Sequence, residues 1–212
     1  MKKNVTIVDY GLGNILSAQQ SFLKVANDNK LNVDVVITNR PETICNSTHI
    51  VLPGQGAFET CMNNLIKIKG MVNQLTKSVI QNKTPFLGIC VGMQLLANVS
   101  FENGQHEGLG WIPGQIKKLP IKNGLKLPHM GWNEVNIINN DNNLIEHNEV
   151  NEFYFVHSYY FDCKQRENII GTTDYGINFT SFISKENIYG VQFHPEKSSK
   201  QGLNLIKKFL EL

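Results

Sequence analysis

The first half of the chain alternates between short apolar runs and segments with helical spacing. Runs rich in β-branched residues predict strands at residues 5–8, 33–37, 50–52 and 85–89. Between them, apolar residues recur every three to four positions over residues 15–25 and 71–80, which predicts helices. Strand followed by helix, repeated along a chain, is typical of a mostly parallel sheet with helices on both faces.

The second half of the chain has a different pattern. From residue 115 to residue 183, short runs of β-branched and aromatic residues, such as 135–138 and 153–156, predict additional strands and little helix. The asparagine-rich stretch at 136–151 is predicted to be a loop.

The chain closes with an amphipathic helix that is predicted over residues 200–212. Its apolar side chains share one face: Leu203, Ile206, Phe209 and Leu210. With 212 residues and 41% hydrophobic side chains, the chain is long enough to bury a substantial core in one domain. These patterns predict a single α/β domain over residues 1–212, with a central, mostly parallel sheet flanked by helices and additional strands in the C-terminal half.

Charge and cysteine content exclude several classes of function. The 20 basic and 18 acidic residues give a net charge of +2 without a long single-sign run, so neither nucleic acid nor a membrane is expected as a partner. The apolar run near the N-terminus is too short for a signal peptide, and no window approaches the roughly 20 apolar residues that span a bilayer, so we expect a cytoplasmic protein. Four cysteines without C-x-x-C spacing favour reduced thiols over disulfides or zinc, and neither a metal nor a cofactor is predicted.

One cysteine has an unusual setting. Cys90 ends an apolar strand segment, begins a helical one, and has glycines two positions before and two positions after it. The same spacing around serine marks a nucleophile elbow, where bulky neighbours do not fit. The helix N-terminus that follows favours a thiolate and offers amides to an oxyanion. Gln94, one helical turn later, is a candidate substrate contact. For this motif alone, a buried structural cysteine is the alternative.

A candidate base lies near the C-terminus. Pro195 disfavours the helical region for His194, so the segment is predicted to be extended, with His194 and Glu196 pointing to the same side. A carboxylate beside an imidazole fixes its tautomer and stabilises its cation. With Cys90, these residues complete a Cys-His-Glu triad. Surface or core positions are the interpretation for three other histidines: His49, His106 and His147.

With these residues, the chain resembles the class I, or triad, glutamine amidotransferases, whose elbow cysteine and C-terminal His-Pro-Glu match here. More narrowly, five blocks resemble the glutaminase subunits of imidazole glycerol phosphate synthases and cover nearly the whole chain. They are Asp-Tyr-Gly-Leu-Gly-Asn at 9–14, Pro-Gly-Gln-Gly-Ala-Phe at 53–58, Gly-Ile-Cys-Val-Gly-Met-Gln at 88–94, Pro-His-Met-Gly-Trp-Asn at 128–133 and Phe-Val-His-Ser-Tyr-Tyr at 155–160. Val91 and Gln55 stand where leucine and valine are commoner, and neither departure removes a reacting group.

The resemblance implies a class I glutamine amidotransferase fold and roles for further residues. The loop with Gly54, Gln55 and Gly56 is expected to form the oxyanion strand, together with the amide of Val91. Glutamine contacts are implied for Gln94, Ser158 and Tyr159. A partner surface is implied for Asn14 and for the loop with His129, Met130 and Trp132, although Met130 and Trp132 are also suited to a core. The roles of His129 and His157 stay open, with structural roles favoured.

The implied reaction is hydrolysis of glutamine to glutamate and ammonia. Ammonia would pass to a separate (β/α)8 cyclase or synthase subunit, in a heterodimer that makes imidazole glycerol phosphate and an aminoimidazole carboxamide ribonucleotide in histidine biosynthesis. One alternative is a paralogous glutaminase that feeds an amino-sugar synthase of surface polysaccharide. A second is a noncatalytic binding module with this fold, which is disfavoured because all three triad residues are present.

Overall fold

The computed structural model describes residues 2–120, 124–139, 144–145 and 151–212. Within them the chain forms these elements in order: β1 (Lys3–Val8), α1 (Ile15–Asp28), β2 (Val33–Thr38), α2 (Pro41–Ile44), β3 (His49–Gly54), α3 (Phe58–Lys67), α4 (Met71–Thr76), β4 (Phe86–Cys90), α5 (Val91–Gln94), β5 (Val99–Ser100), β6 (His106–Glu107), β7 (Gly114–Lys118), β8 (His129–Glu134), β9 (Asn136–Ile137), β10 (Glu152–His157), β11 (Tyr159–Cys163), β12 (Ile169–Asp174), β13 (Asn178–Lys185), β14 (Ile188–Val191) and α6 (Ser199–Glu211). A π-helical segment, Lys77–Gln81, continues α4, and 3-10 turns lie at Arg166–Asn168 and Pro195–Lys197.

The main sheet begins with five parallel strands in the order β2-β1-β3-β4-β14. It continues through β13, β11, β7, β5 and β6, where the pairings are antiparallel except that of β5 with β7. Strands β12 and β9 extend it beside β13, and β8 and β10 form a separate antiparallel pair. The predicted fold class, with additional strands in the C-terminal half, is confirmed.

Most predicted elements agree with the observed ones to within a few residues, and two differ. Residues 136–137, at the start of the predicted asparagine-rich loop, form strand β9, because they pair with Gly171 and Thr172 of β12. The described pair Leu144 and Ile145 is buried, and the rest of that stretch, 140–143 and 146–150, lies outside the described residues. Long-range pairing thus overrides the turn-forming composition of this segment.

The closing helix packs its apolar face onto the parallel half of the sheet. Leu205, Ile206, Phe209 and Leu210 are buried. The Phe209 ring meets Phe22 of α1 and His49 of β3 edge-on, with centroids 6.3 and 5.2 Å apart. Burial of each such apolar side chain stabilises the fold by roughly 1.5–3 kcal/mol, so α6 is held firmly against the sheet, next to the Pro195–Lys197 turn that precedes it. Among the described residues, no helix combines the length and apolar character needed to cross a membrane.

Two glycines allow close contacts that position the carboxyl edge of the sheet. A Cβ atom on Gly92 of α5 would lie 1.8 Å from the carbonyl oxygen of Leu52 in β3. A Cβ atom on Gly202 of α6 would lie 1.9 Å from the carbonyl oxygen of Pro195. Real Cβ atoms do not approach oxygen so closely, so only glycine fits at either position without a backbone shift.

We expect Gly92→Ala to lower the free energy of unfolding by about 3 kcal/mol or more, since the added methyl group forces α5 away from β3. Gly124→Ala is the control: this glycine has a φ of 77° and open space around it, so only the left-handed backbone is penalised, by about 1–2 kcal/mol. Urea unfolding of both variants checks the difference. Equal losses would show that the α5–β3 contact is not tight.

Candidate active site

Cys90 lies on a sharp strand-to-helix turn. It is the last residue of β4, it precedes α5, and its φ of 54° and ψ of −112° fall outside the regions that side-chain-bearing residues favour. Such a conformation persists only where surrounding packing enforces it, and the close α5–β3 contact at Gly92 does so. The thiol consequently stands at the carboxyl edge of the parallel sheet, where open α/β folds bind ligands.

The side chains of His194 and Glu196 are in contact, but the backbone conformation that brings them together differs from the predicted one. Nδ1 of His194 lies 2.8 Å from Oε1 of Glu196, and both side chains are almost fully buried. His194 is extended, with φ −104° and ψ 97°, as Pro195 requires. The extended conformation expected through Glu196 is wrong, because Pro195 starts a 3-10 turn. This turn folds the carboxylate back onto the imidazole.

Backbone hydrogen bonds anchor this turn. The His194 N–H donates to the carbonyl of Tyr154 in β10 at 2.9 Å, and the Ser198 hydroxyl donates to the His194 carbonyl at 2.6 Å. The Ser198 hydroxyl also accepts the N–H of Tyr154 at 3.0 Å. The imidazole is therefore fixed from its own backbone as well as through Glu196.

The charge state of His194 depends on its neighbours. Burial alone disfavours the imidazolium, but the negative charge of Cys90 and the hydrogen bond to Glu196 raise the pKa of His194 to about 10. The imidazolium form of His194 is thus favoured at neutral pH. Because Nδ1 is held by Glu196, the buried Nε2 is the nitrogen that interacts with Cys90 and can transfer a proton.

A cavity of about 310 Å³ opens over Cys90. Eight of the residues proposed from the sequence line it: Gln55, Gly56, Cys90, Val91, Gln94, Ser158, Tyr159 and His194. Gly54 lies just behind the cavity, paired with Cys90 across β3 and β4. The cavity is large enough for an amino acid and has the Cys90 thiol in its wall.

The loop after β3 is held through its carbonyl groups. The Tyr10 hydroxyl donates to the Pro53 carbonyl at 2.7 Å, and the Cys61 thiol lies 3.6 Å from the Gln55 carbonyl. Burial raises the pKa of Tyr10 well above its usual value and that of Cys61 to about 11, so both groups stay protonated donors. Gly56 has a φ of 108°, which glycine adopts without strain. The loop expected to bind the oxyanion therefore lies at the cavity, with the Pro53 carbonyl held by a hydroxyl group and the Gln55 carbonyl by a weaker thiol donor.

Two side chains at the site were missed by the sequence analysis. Gln192 is buried, its Nε2 lies 3.7 Å from the Cys90 sulfur, and its Oε1 accepts Nε2 of Gln94 at 3.0 Å. Its position two residues before His194, on the same side of an extended segment, was the available signal. Glu102 also lines the cavity, and its Oε2 accepts the N–H of Phe58 at 2.7 Å. No motif includes Glu102, so no local signal marked it.

The residues expected at a partner surface differ in exposure. Met130 and Trp132 are 66% and 52% exposed, so they are not core residues, and Asn14 is exposed at the start of α1. The segment expected to be a loop is strand β8, because it pairs with β10. His129 is only 3% exposed, since its ring stacks on Phe155, so its side chain does not reach a surface.

The part of the chain that the structure describes contains no group of three or more histidine, cysteine, aspartate or glutamate side chains placed to hold a metal ion.

The chain matches known proteins over nearly its whole length. The model of the family "Glutamine amidotransferase class-I" matches residues 7–212. The imidazole glycerol phosphate synthase subunit HisH 2 of Methanococcus maripaludis is 47% identical over 210 residues, 98% of each chain. The subunit HisH of Pelagibacter ubique is 46% identical over 210 residues, 99% of this chain and 100% of that one.

Solved structures share the fold at low sequence identity. A crystal structure of a glutamine amidotransferase has a TM-score of 0.72 at 14% identity and covers 97% of both chains. A glutamine amidotransferase from Thermotoga maritima has a TM-score of 0.66 at 17% identity, over 95% of this chain and 79% of that chain. At such identities the likeness shows the fold alone.

The four cysteines offer a test of the nucleophile. We expect a glutamine analogue that carries a chloromethyl ketone to alkylate Cys90 selectively, because only this thiol lies in the cavity beside an imidazolium. Cys45 is exposed but has no such pocket, and burial raises the pKa of Cys61 and of Cys163. Peptide mass spectrometry identifies the labelled residue, with iodoacetamide as the control reagent for exposed thiols. Preferential labelling of any other cysteine by the analogue would exclude the assignment.

Proposed function

The chain belongs to the class I glutamine amidotransferases, and we propose that it hydrolyses glutamine through Cys90, His194 and Glu196 and delivers the ammonia to a synthase that forms imidazole glycerol phosphate. The observation that carries the proposal is the convergence of the strained Cys90 and the His194–Glu196 pair on one cavity. The names of relatives that match nearly the full chain supply the pathway, and they favour it over an amino-sugar synthase.

The first half of the reaction forms a thioester. The Cys90 thiolate attacks the side-chain amide carbon of glutamine, and the carbonyl oxygen becomes an oxyanion. Backbone amides of Val91 and of the Gln55–Gly56 segment, which line the cavity, are the donors we assign to it. The tetrahedral intermediate then collapses, the C–N bond breaks, and the His194 imidazolium gives its proton to the leaving nitrogen, which departs as ammonia.

The second half returns the enzyme to its resting state. Neutral His194 takes a proton from water, and the resulting hydroxide attacks the γ-glutamyl thioester. Collapse of the second tetrahedral intermediate releases glutamate and the Cys90 thiolate. The thiolate and imidazolium are then restored, which agrees with the raised pKa of His194, about 10, in the free enzyme. Glu196 holds the ring through Nδ1 and stabilises its cation.

The cavity also suits the rest of a glutamine molecule. Glu102 brings a carboxylate to the wall, which we assign to the α-ammonium group of the substrate. Ser158 and Tyr159 line the wall as well and supply polar groups of neutral charge. Apart from the Cys90–His194 pair, Glu102 is the charged side chain that lines the cavity, and its carboxylate disfavours a second carboxylate on the ligand, which helps glutamate to leave.

The proposed partner is a (β/α)8 synthase subunit in a heterodimer. The described strands belong to one open sheet or to the β8–β10 pair, and neither is such a barrel. Trp132 is exposed on β8, and its ring lies edge-on to Tyr154 with centroids 6.2 Å apart. The Tyr154 carbonyl accepts the N–H of His194, the proposed base. Tyr154 therefore connects the exposed Trp132 ring to His194. Trp and Met are enriched at protein interfaces.

In the complex with the proposed synthase subunit, we expect Cys90→Ala to abolish synthesis from glutamine and to leave synthesis from added ammonium salt intact. The variant removes only the atom that opens the amide, and free ammonia needs no such step. Product formation measured with each nitrogen source checks this. Cys45→Ala, at an exposed cysteine, is the matched control and should retain both activities. Persisting glutamine turnover in Cys90→Ala would contradict the mechanism.

We also expect the isolated chain to be a poor glutaminase that its partner activates. Among the described residues, the carbonyl of the peptide between Gln55 and Gly56 is held by the weak thiol donor of Cys61, and glycine permits rotation of this peptide. If this peptide is rotated, its N–H no longer points at the oxyanion. Loss of one such hydrogen-bond donor typically lowers turnover about 100- to 1,000-fold.

Glutamate release is to be measured for the chain alone, with the synthase, and with the synthase plus its nucleotide substrate. Cys90→Ala serves as the blank. A rise of about 100- to 1,000-fold is the expected result, and equal rates in all three mixtures would refute gating.

A further inference from the structure

Two buried histidines, His129 and His157, touch each other beside the cavity and have no part in the mechanism. They are register partners in β8 and β10, and Nδ1 of His129 lies 2.9 Å from Nε2 of His157. Burial lowers the pKa of His129 to about 4 and that of His157 to about 3, so both rings are neutral at pH 7. A neutral imidazole has one donor and one acceptor nitrogen.

The neighbours at each end determine which nitrogen carries the proton. Nδ1 of His157 lies 2.8 Å from the carbonyl oxygen of Tyr159, which only accepts, so this nitrogen is the donor. Nε2 of His157 then accepts from Nδ1 of His129. Nε2 of His129 in turn accepts from the amide nitrogen of Asn133 at 3.2 Å. We call Asn133, His129, His157 and the Tyr159 carbonyl the histidine relay; its hydrogen bonds all run in one direction.

The relay ends on the Tyr159 carbonyl oxygen, which also orients the side chain of Gln94, a proposed contact of the substrate. The Tyr159 carbonyl accepts Nε2 of Gln94 at 3.1 Å, and the same Nε2 donates to Oε1 of Gln192 at 3.0 Å. Both hydrogens of the Gln94 amide are thereby used, since both partners are acceptors. The Oε1 atom of Gln94 is the polar atom left for a ligand in the cavity that this residue lines.

We propose that His157, supported by His129, is a positioning residue for the amide group of the substrate. By holding the Tyr159 carbonyl it keeps the Gln94 amide in one orientation, with Oε1 toward the NH₂ group of bound glutamine. If the amide turned over, NH₂ would face NH₂, and no hydrogen bond would form. This inference rests on the proposed glutaminase reaction.

The outer end of the relay lies on an exposed strand. Asn133 belongs to β8, the strand that exposes Met130 and Trp132, and its amide also donates to the Asp174 carbonyl at 2.9 Å. The cavity and the proposed partner surface therefore share one hydrogen-bonded path.

Two substitutions at His157 separate positioning from packing. His157→Phe fills the space but has no donor, so we expect the KM for glutamine to rise about tenfold, the effect of one buried hydrogen bond left unmade. His157→Asn places an amide N–H where Nδ1 was, so we expect its KM to stay within about threefold of the wild-type value. Alkylation of Cys90 by iodoacetamide, which needs no contact with Gln94, should be unchanged in both variants.

The matched control is His49→Phe. His49 is equally buried, but it lies at the amino end of β3, away from the cavity, so its loss should leave the KM unchanged. A His157→Phe variant with a wild-type KM would overturn the proposal. So would a His157→Asn variant as impaired as His157→Phe, since only a packing role treats the two alike.

A measurement on the wild-type protein covers the case in which a variant does not fold. Nitrogen-15 chemical shifts of the two rings should show a proton on Nδ1 of both His129 and His157 at pH 7. A proton on Nε2 of either ring, or a doubly protonated ring, would overturn the relay. Failure of the wild-type protein to hydrolyse glutamine would instead refute the proposed function, and the ring tautomers would still decide the relay.

Discussion

The close contact between α5 and β3 is the constraint on which the site depends. With only a hydrogen atom on the α-carbon of Gly92, α5 can lie against the Leu52 carbonyl. That approach holds Cys90 in a backbone conformation that it would otherwise avoid. It also brings the carboxyl end of β3, with Gly54, opposite the thiol. The Cys90 thiol and the loop to which we assign the oxyanion are thereby placed together by one packing contact.

Electrostatic interactions stabilise the side chains that this packing brings together. Cys90 and His194, whose opposite charges the proposed mechanism requires, are both largely withdrawn from water, where charges interact more strongly than at a surface. Neither charge would be tolerated there alone, and Glu196 balances the second. The turn that carries this pair rests on α6, which approaches the Pro195 carbonyl at Gly202. The closing helix therefore supports the base, although none of its residues lines the cavity.

The Cys90–His194 pair is surrounded by neutral amide and imidazole side chains, and each of their hydrogen bonds has a defined donor and acceptor. Gln192 joins the sulfur of Cys90 to Gln94, and the histidine relay joins Gln94 to strand β8 through the Tyr159 carbonyl. Such a network is stabilising only when each member has its partner, because a buried polar group left unpaired costs about 1–3 kcal/mol. The same requirement makes the orientation of each member unique.

The sequence by itself predicted most of the elements and pointed to the residues that we propose to react. Strand and helix follow from local periodicity, and the elbow at Cys90 follows from the glycine spacing on either side of it. The tertiary structure alone decided what meets across the sheet: Gln192 beside the sulfur, Glu102 in the cavity wall, and His129 turned inward on β8. These contacts join residues far apart in the chain, and strand order and register set them. Local patterns contain no information about either, since they report only neighbours within a few positions.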